Sequence, residues 1–136
     1  MCERYKKIVC IIFINLSVIS GCVSFQNLTV KDLKKPENLR REKKFNLTIA
    51  QIQKAIFDYS KKCIQLKNIL VDPQNPKFGI IAIDSMGLTQ SNVGTLMEFK
   101  ETPIGTEAIG YSYYEGWAGI QIDRTFMAIE NPTNCQ

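Results

Sequence analysis

Seven carboxylates, Asp84, Glu98, Glu101, Glu107, Glu115, Asp123 and Glu130, fall in the second half of this 136-residue chain. Two such groups held about 5–10 Å apart are what glycoside hydrolysis requires. Their spacing singles out no pair, and solvated strand faces and turns account for the same residues without a site. Arg124, beside Asp123, reads as an outward strand residue in preference to half of a buried ion pair. Ser85, Ser91 and Ser112 lack a base to activate them, because the chain contains no His. That absence removes Ser-His-Asp and Cys-His nucleophile activation and His-ligated zinc together. There is no C-x-x-C pair, Gly-rich phosphate loop, dinucleotide fingerprint, G-x-S-x-G or S-x-x-K. The inventory therefore predicts a protein that is not an enzyme and holds no metal or cofactor.

The remaining chemistry is recognition. Tyr111, Tyr113, Tyr114 and Trp117 flank Glu115-Gly116. Tyr and Trp combine large apolar area with a polar handle, the composition of interface hot spots and glycan platforms. Tyr111 and Tyr113 share one face of a strand and Tyr114 takes the other, so at least one of these faces must pack into a core. Core is the commoner fate of such residues, and the cluster is nonetheless the candidate binding surface.

These groups need elements to position them. Thr48 with Gln51 forms a capping box, and Leu47 with Ile52 fits a hydrophobic staple. Ile49, Ile52, Ile56, Tyr59, Cys63 and Leu66 follow at spacings of three or four, predicting one helix over 48–66 with a single apolar face. Asp72-Pro73-Gln74-Asn75-Pro76 reads as a loop. Phe78–Asp84, Val93–Lys100, Thr106–Tyr114 and Trp117–Ile129 then read as strands, the last two joined by a Glu115-Gly116 hairpin turn. Glycines 79, 94, 110 and 119 within them suggest bulges or curvature. The expected fold is α+β, one N-terminal helix packed on a curved antiparallel sheet of about four strands.

The N-terminus is of a different kind. Arg4, Lys6 and Lys7 outweigh Glu3, and Ile8–Ile19 is a run of twelve mostly apolar residues. A helical span needs about 20, so the run matches the apolar region of an export signal better than a permanent anchor. It ends in Ile19-Ser20-Gly21-Cys22, which resembles the lipobox of bacterial lipoproteins. An ordinary secretory peptide with an incidental Cys, or a short anchor, accounts for less of this pattern. The resemblance covers the signal alone. It implies cleavage after Gly21 and a diacylglyceryl group, with palmitate-type chains, on the Cys22 sulfur. Two chains are what stable anchoring needs. With Val23 rather than Asp following Cys22, the family pattern favours the outer membrane, the domain facing the periplasm. The inner membrane, or the cell surface where there is one membrane, is the alternative.

Removal of Cys2 and Cys10 and lipidation of Cys22 would leave Cys63 and Cys135, an even pair that reads as a disulfide in an oxidising compartment. The chain thus divides into a signal peptide (1–21), a lipidated basic tether (22–44) and a small globular domain (45–136). Residues 22–67 carry 11 basic and 4 acidic side chains, a balance of +7, and residues 68–136 carry 3 and 8, a balance of −5. The basic stretch reads first as a solvated spacer and second as an element that rests on anionic head groups or peptidoglycan. Compartment and charge distribution disfavour nucleic acid. The expectation is a non-enzymatic binding or accessory lipoprotein for an envelope protein or for peptidoglycan. The alternatives are an inhibitor of cell-wall hydrolases such as lysozyme and, behind it, a carboxylate hydrolase.

Overall fold

A computed structural model of the chain describes residues 30–85 and 92–135. The signal segment, Cys22 and Ser91 lie outside the described residues. In chain order the elements are α1 (Val30–Leu33), a 3₁₀ turn (Pro36–Asn38), β1 (Leu39–Phe45), α2 (Ile49–Lys62), β2 (Leu70–Asp72), β3 (Asn75–Ser85), β4 (Asn92–Thr102), β5 (Gly105–Ser112) and α3 (Gly116–Glu130). The class is α+β, as the sequence implies, with one antiparallel sheet ordered β1-β5-β4-β3-β2.

The helix predicted over 48–66 is α2. Its capping box is formed: Gln51 Oε1 accepts from the Thr48 amide at 2.8 Å, and Thr48 Oγ1 accepts from the Gln51 amide at 3.3 Å. Glu101 on β4 adds a third partner, its Oε2 accepting from the Ile49 amide at 2.9 Å. A carboxylate at the positive end of a helix suits both the orphan donor and the dipole. The helix stops short of Leu66 because the chain departs from helical geometry at Cys63, whose sulfur is bonded to that of Cys135.

Ile49, Ile52, Ile56 and Tyr59 of α2 are buried against one face of the sheet, where Ile81, Met97, Phe99 and Ala108 alternate with outward residues. The alternation is cleanest on β5, where Thr106, Ala108, Gly110 and Ser112 are buried and their neighbours are half-exposed. This is the period-2 signature of a strand with one face on the main core; on the opposite face of the sheet α1 packs on β4, where Leu33 and Leu96 are buried as well.

Several expectations are corrected. Trp117–Ile129, read as a strand, is α3, and Glu115-Gly116 leads into that helix instead of turning a hairpin. Gly119 is accordingly helical. The deciding pattern is Ile122, Phe126 and Ile129 at spacings of four and three, all buried on the same sheet face as α2. The Phe126 ring meets Phe45 edge-on at 5.6 Å. The sheet has five strands, and the predicted helix is preceded by β1 and accompanied by a second long helix. Residues 30–44, read as the latter part of a tether, are folded onto the domain, and β1 pairs with β5 from Leu39↔Tyr111 to Phe45↔Thr106. The proline-rich segment is a tight turn between β2 and β3, with Asp72 Oδ1 accepting from the Gln74 amide at 2.8 Å. The expected disulfide is present and ties the end of α2 to the tail after α3.

Two outcomes follow from this packing. A Cβ at Gly110 would stand 2.7 Å from Ile122 Cγ2, so Gly110→Val forces α3 off the sheet, and urea denaturation should show a loss of about 1–3 kcal/mol. The disulfide spans 72 residues. On the chain-entropy account, replacing both cysteines by Ala should lower the unfolding free energy by about 4 kcal/mol.

Candidate functional site

Six of the seven carboxylates that invited a hydrolytic reading are engaged by an ion pair or a helix cap. β1 presents Arg41 and Lys43 on one face, two residues apart, and α3 presents Asp123 and Glu130, two turns apart. Arg41 Nε and Nη2 donate to the two Asp123 oxygens at 2.7 and 3.0 Å, a forked pairing, and Lys43 Nζ lies 2.7 Å from Glu130 Oε1. On the opposite face of β1, Lys44 lies directly across from Glu107 on β5, at 2.9 Å. Lys34, just past α1, reaches Glu98 on β4 at 2.9 Å, and Lys67 faces Asp84 at 3.7 Å. Glu101 caps α2. Glu115 is exposed at the start of α3. The charge imbalance of the sequence is thus closed inside the fold: basic residues of 34–44 and 67 meet acidic residues of 84–130. Lysines and arginines expected to face an anionic surface are in large part bound to the domain itself.

Mutual hydrogen bonding with Lys44 holds the Glu107 carboxyl below its usual range and raises the Lys44 ammonium. The Lys54–Asp58 pair on α2 lowers Asp58 in the same way. Among the described residues no three His, Cys, Asp or Glu side chains gather as a metal site would require.

The four aromatic residues fall in three settings. Tyr111 is half-buried on the sheet face away from α2 and α3, between Leu96 of β4 and Leu39 of β1. Tyr113 is half-buried beside α1. Burial raises its hydroxyl pKa first and the Asp32 charge adds to this, while Lys35 offsets part of it. Tyr114 and Trp117 are exposed, Trp117 in the first turn of α3. Ile120, one turn further on and also exposed, joins them. Ile120 is not among the candidate residues read from the sequence; the helical arrangement of α3 puts it one turn from Trp117. Arg124, read as pointing outward, is half-exposed on α3.

An open groove of about 670 Å³ runs along the end of α2 between Phe57, Ser60 and the segment Gln65–Asn68. Lys61 sits over the Phe57 ring there, 4.4 Å from its centroid. Its lining carries no carboxylate or nucleophile pair.

Comparison with protein-family models, with curated proteins and with solved structures gave no match to this chain. The functional reading therefore rests on the residues themselves.

The Lys44–Glu107 pair has a readable pH dependence. A depressed carboxylate contributes stability that is complete above its ordinary value of 4.5 and fades as the pH falls through the lower folded-state value. Glu107→Gln should flatten that acid limb in urea midpoints measured across the carboxylate range. The difference should be small and shrink with added salt, since the pair is solvent-exposed.

Proposed function

We propose that this protein is a membrane-anchored lipoprotein of the bacterial envelope, held by lipid on Cys22, that serves as a non-enzymatic binding or accessory protein for an envelope protein or peptidoglycan. The observation that carries it is the apolar run ending in Ile19-Ser20-Gly21-Cys22, with the described part of a folded domain starting at Val30, eight positions after that Cys. The Cys63–Cys135 bond supports the reading, because such bonds persist in oxidising compartments. The carboxylates support a binding role over a hydrolytic one, since all but Glu115 of the seven already serve an ion pair or a helix cap. The placement at the outer membrane, facing the periplasm, follows from Val23 after the lipidated Cys.

Mass spectrometry of the polypeptide purified from membranes tests this directly. The expected species lacks residues 1–21 and carries a diacylglyceryl group at residue 22. An unmodified thiol at that residue, or an intact Met1, overturns the proposal. Crosslinking in intact cells should then join the protein to an envelope component, and recovery of the lipidated form with no such component would count against the partner class.

A further inference from the structure

We propose that the end of the domain where β5 passes into α3 rests on the bilayer surface, with Trp117, Tyr114 and Ile120 seated at the depth of the lipid head groups. The inference deepens the lipid-anchor reading and rests on it.

Three exposed residues of one kind meet at this end. Trp117 is 59% exposed, Tyr114 56% and Ile120 52%. Trp117 and Ile120 are three apart on α3, hence on one flank of the helix, and Tyr114 immediately precedes it. Among the described residues, apart from Val30 and Leu39, the other exposed large apolar side chains lie elsewhere: Ile104 in the β4–β5 turn at the other end of the sheet, Leu70 on the edge strand β2, and Phe57 and Ile64 on and just past α2. An amphipathic Trp and Tyr beside an aliphatic residue match the interfacial belt of membrane proteins, where the rings sit in partly apolar surroundings and their polar atoms stay wet.

The chain enters the domain at the same end. Leu39 pairs with Tyr111, which puts the start of β1 beside the end of β5. Tyr113 feels the charges of Asp32 and Lys35, which puts α1 beside the residue that precedes Tyr114. Val30 and Leu39 are themselves exposed here. Lys31 adds an exposed cation suited to head-group phosphates, while Asp32, Glu37 and Glu115 bring carboxylates that must remain hydrated.

The linkage to Cys22 keeps this end of the domain within reach of the bilayer. Seven residues lie between Cys22 and Val30, the first described residue, and even fully extended the eight steps from one to the other reach about 29 Å at most. A tether that short holds the two surfaces at an effective concentration of order mM, where even a weak apolar contact is populated.

Trp117 is the chain's single Trp, so its fluorescence reports this surface alone. The protein purified from membranes is reconstituted into phosphatidylcholine vesicles with plain or brominated acyl chains. The expected result is quenching of Trp117 by the brominated chains and protection from aqueous iodide. Ile120→Glu, which keeps the anchor and leaves the core untouched, should abolish the bromine quenching, as should Tyr114→Ser in part; circular dichroism confirms that each variant is folded. Quenching by iodide and not by bromine means that this end faces water, and overturns the inference. Protection from both quenchers means that protein covers Trp117, a partner or a second copy, and overturns it as well. The mass of residue 22 in the same sample separates the two claims. A lipidated Cys22 with unquenched Trp117 leaves the anchor standing and removes the contact. An unmodified Cys22 removes the anchor, and the bromine quenching still decides the contact.

Discussion

The register of β1 against β5 is the constraint on which the arrangement turns. β1 is an edge strand of sequence LRREKKF, with Phe45 as its buried apolar residue. In the observed register Phe45 meets Phe126 in the core while Arg41 and Lys43 face the acidic flank of α3. A slip of one residue would turn Phe45 to solvent and send both cations to the other face. Burial of Phe45, about 1.5–3 kcal/mol, and the backbone ladder supply most of the attraction. The exposed ion pairs add little energy each and mainly penalise other registers. Charge here specifies geometry more than it stabilises it, and the same pairs fix where α3 lies across the sheet.

That constraint explains which parts of the fold were legible. α2 announces itself locally: a capping box, a staple and an unbroken apolar seam all lie within its own residues. β3, β4 and β5 carry β-branched apolar alternation and were legible for the same reason. β1 was not, because its neighbours in sequence are basic residues indistinguishable from a solvated spacer. What makes it a strand is its ladder to β5 and the burial of Phe45 against Phe126, partners more than sixty residues away. β2 is three residues long and exists through its pairing with β3. α3 was misread because Trp117, Ile120, Ile122 and Phe126 have strand-like composition and a Gly-containing turn signal stands before them. The helix wins because the sheet face over β5 needs a cover, and the bare backbone at Gly110 lets Ile122 approach it.

The candidate surfaces follow the same division. The carboxylates were visible in the sequence, but their partners could not be named while 34–44 stood as a spacer. The aromatic cluster was found from composition, yet its grouping changes once α3 is a helix. Tyr111 and Tyr113 settle half-buried on or beside the sheet, and Tyr114 and Trp117 gain Ile120 as a neighbour. The disulfide was legible from counting alone, since pairing needs parity and compartment, whereas its position needed the tail after α3 to be placed.

The bond between Cys63 and Cys135 closes a loop that contains β2, β3, β4, β5 and α3, and leaves α1, β1 and α2 outside it. Mechanical load arriving from the N-terminal side of Val30 therefore meets, first, segments with no covalent restraint. β1 would peel from the rim of the sheet and the residues up to Cys63 would pay out as slack, while everything beyond stays knotted into a loop that cannot lengthen. The molecule is built with a leader that can lengthen and a body that cannot, and withdrawing the leader strips Phe45, Ile49, Ile52 and Ile56 from the core the two share.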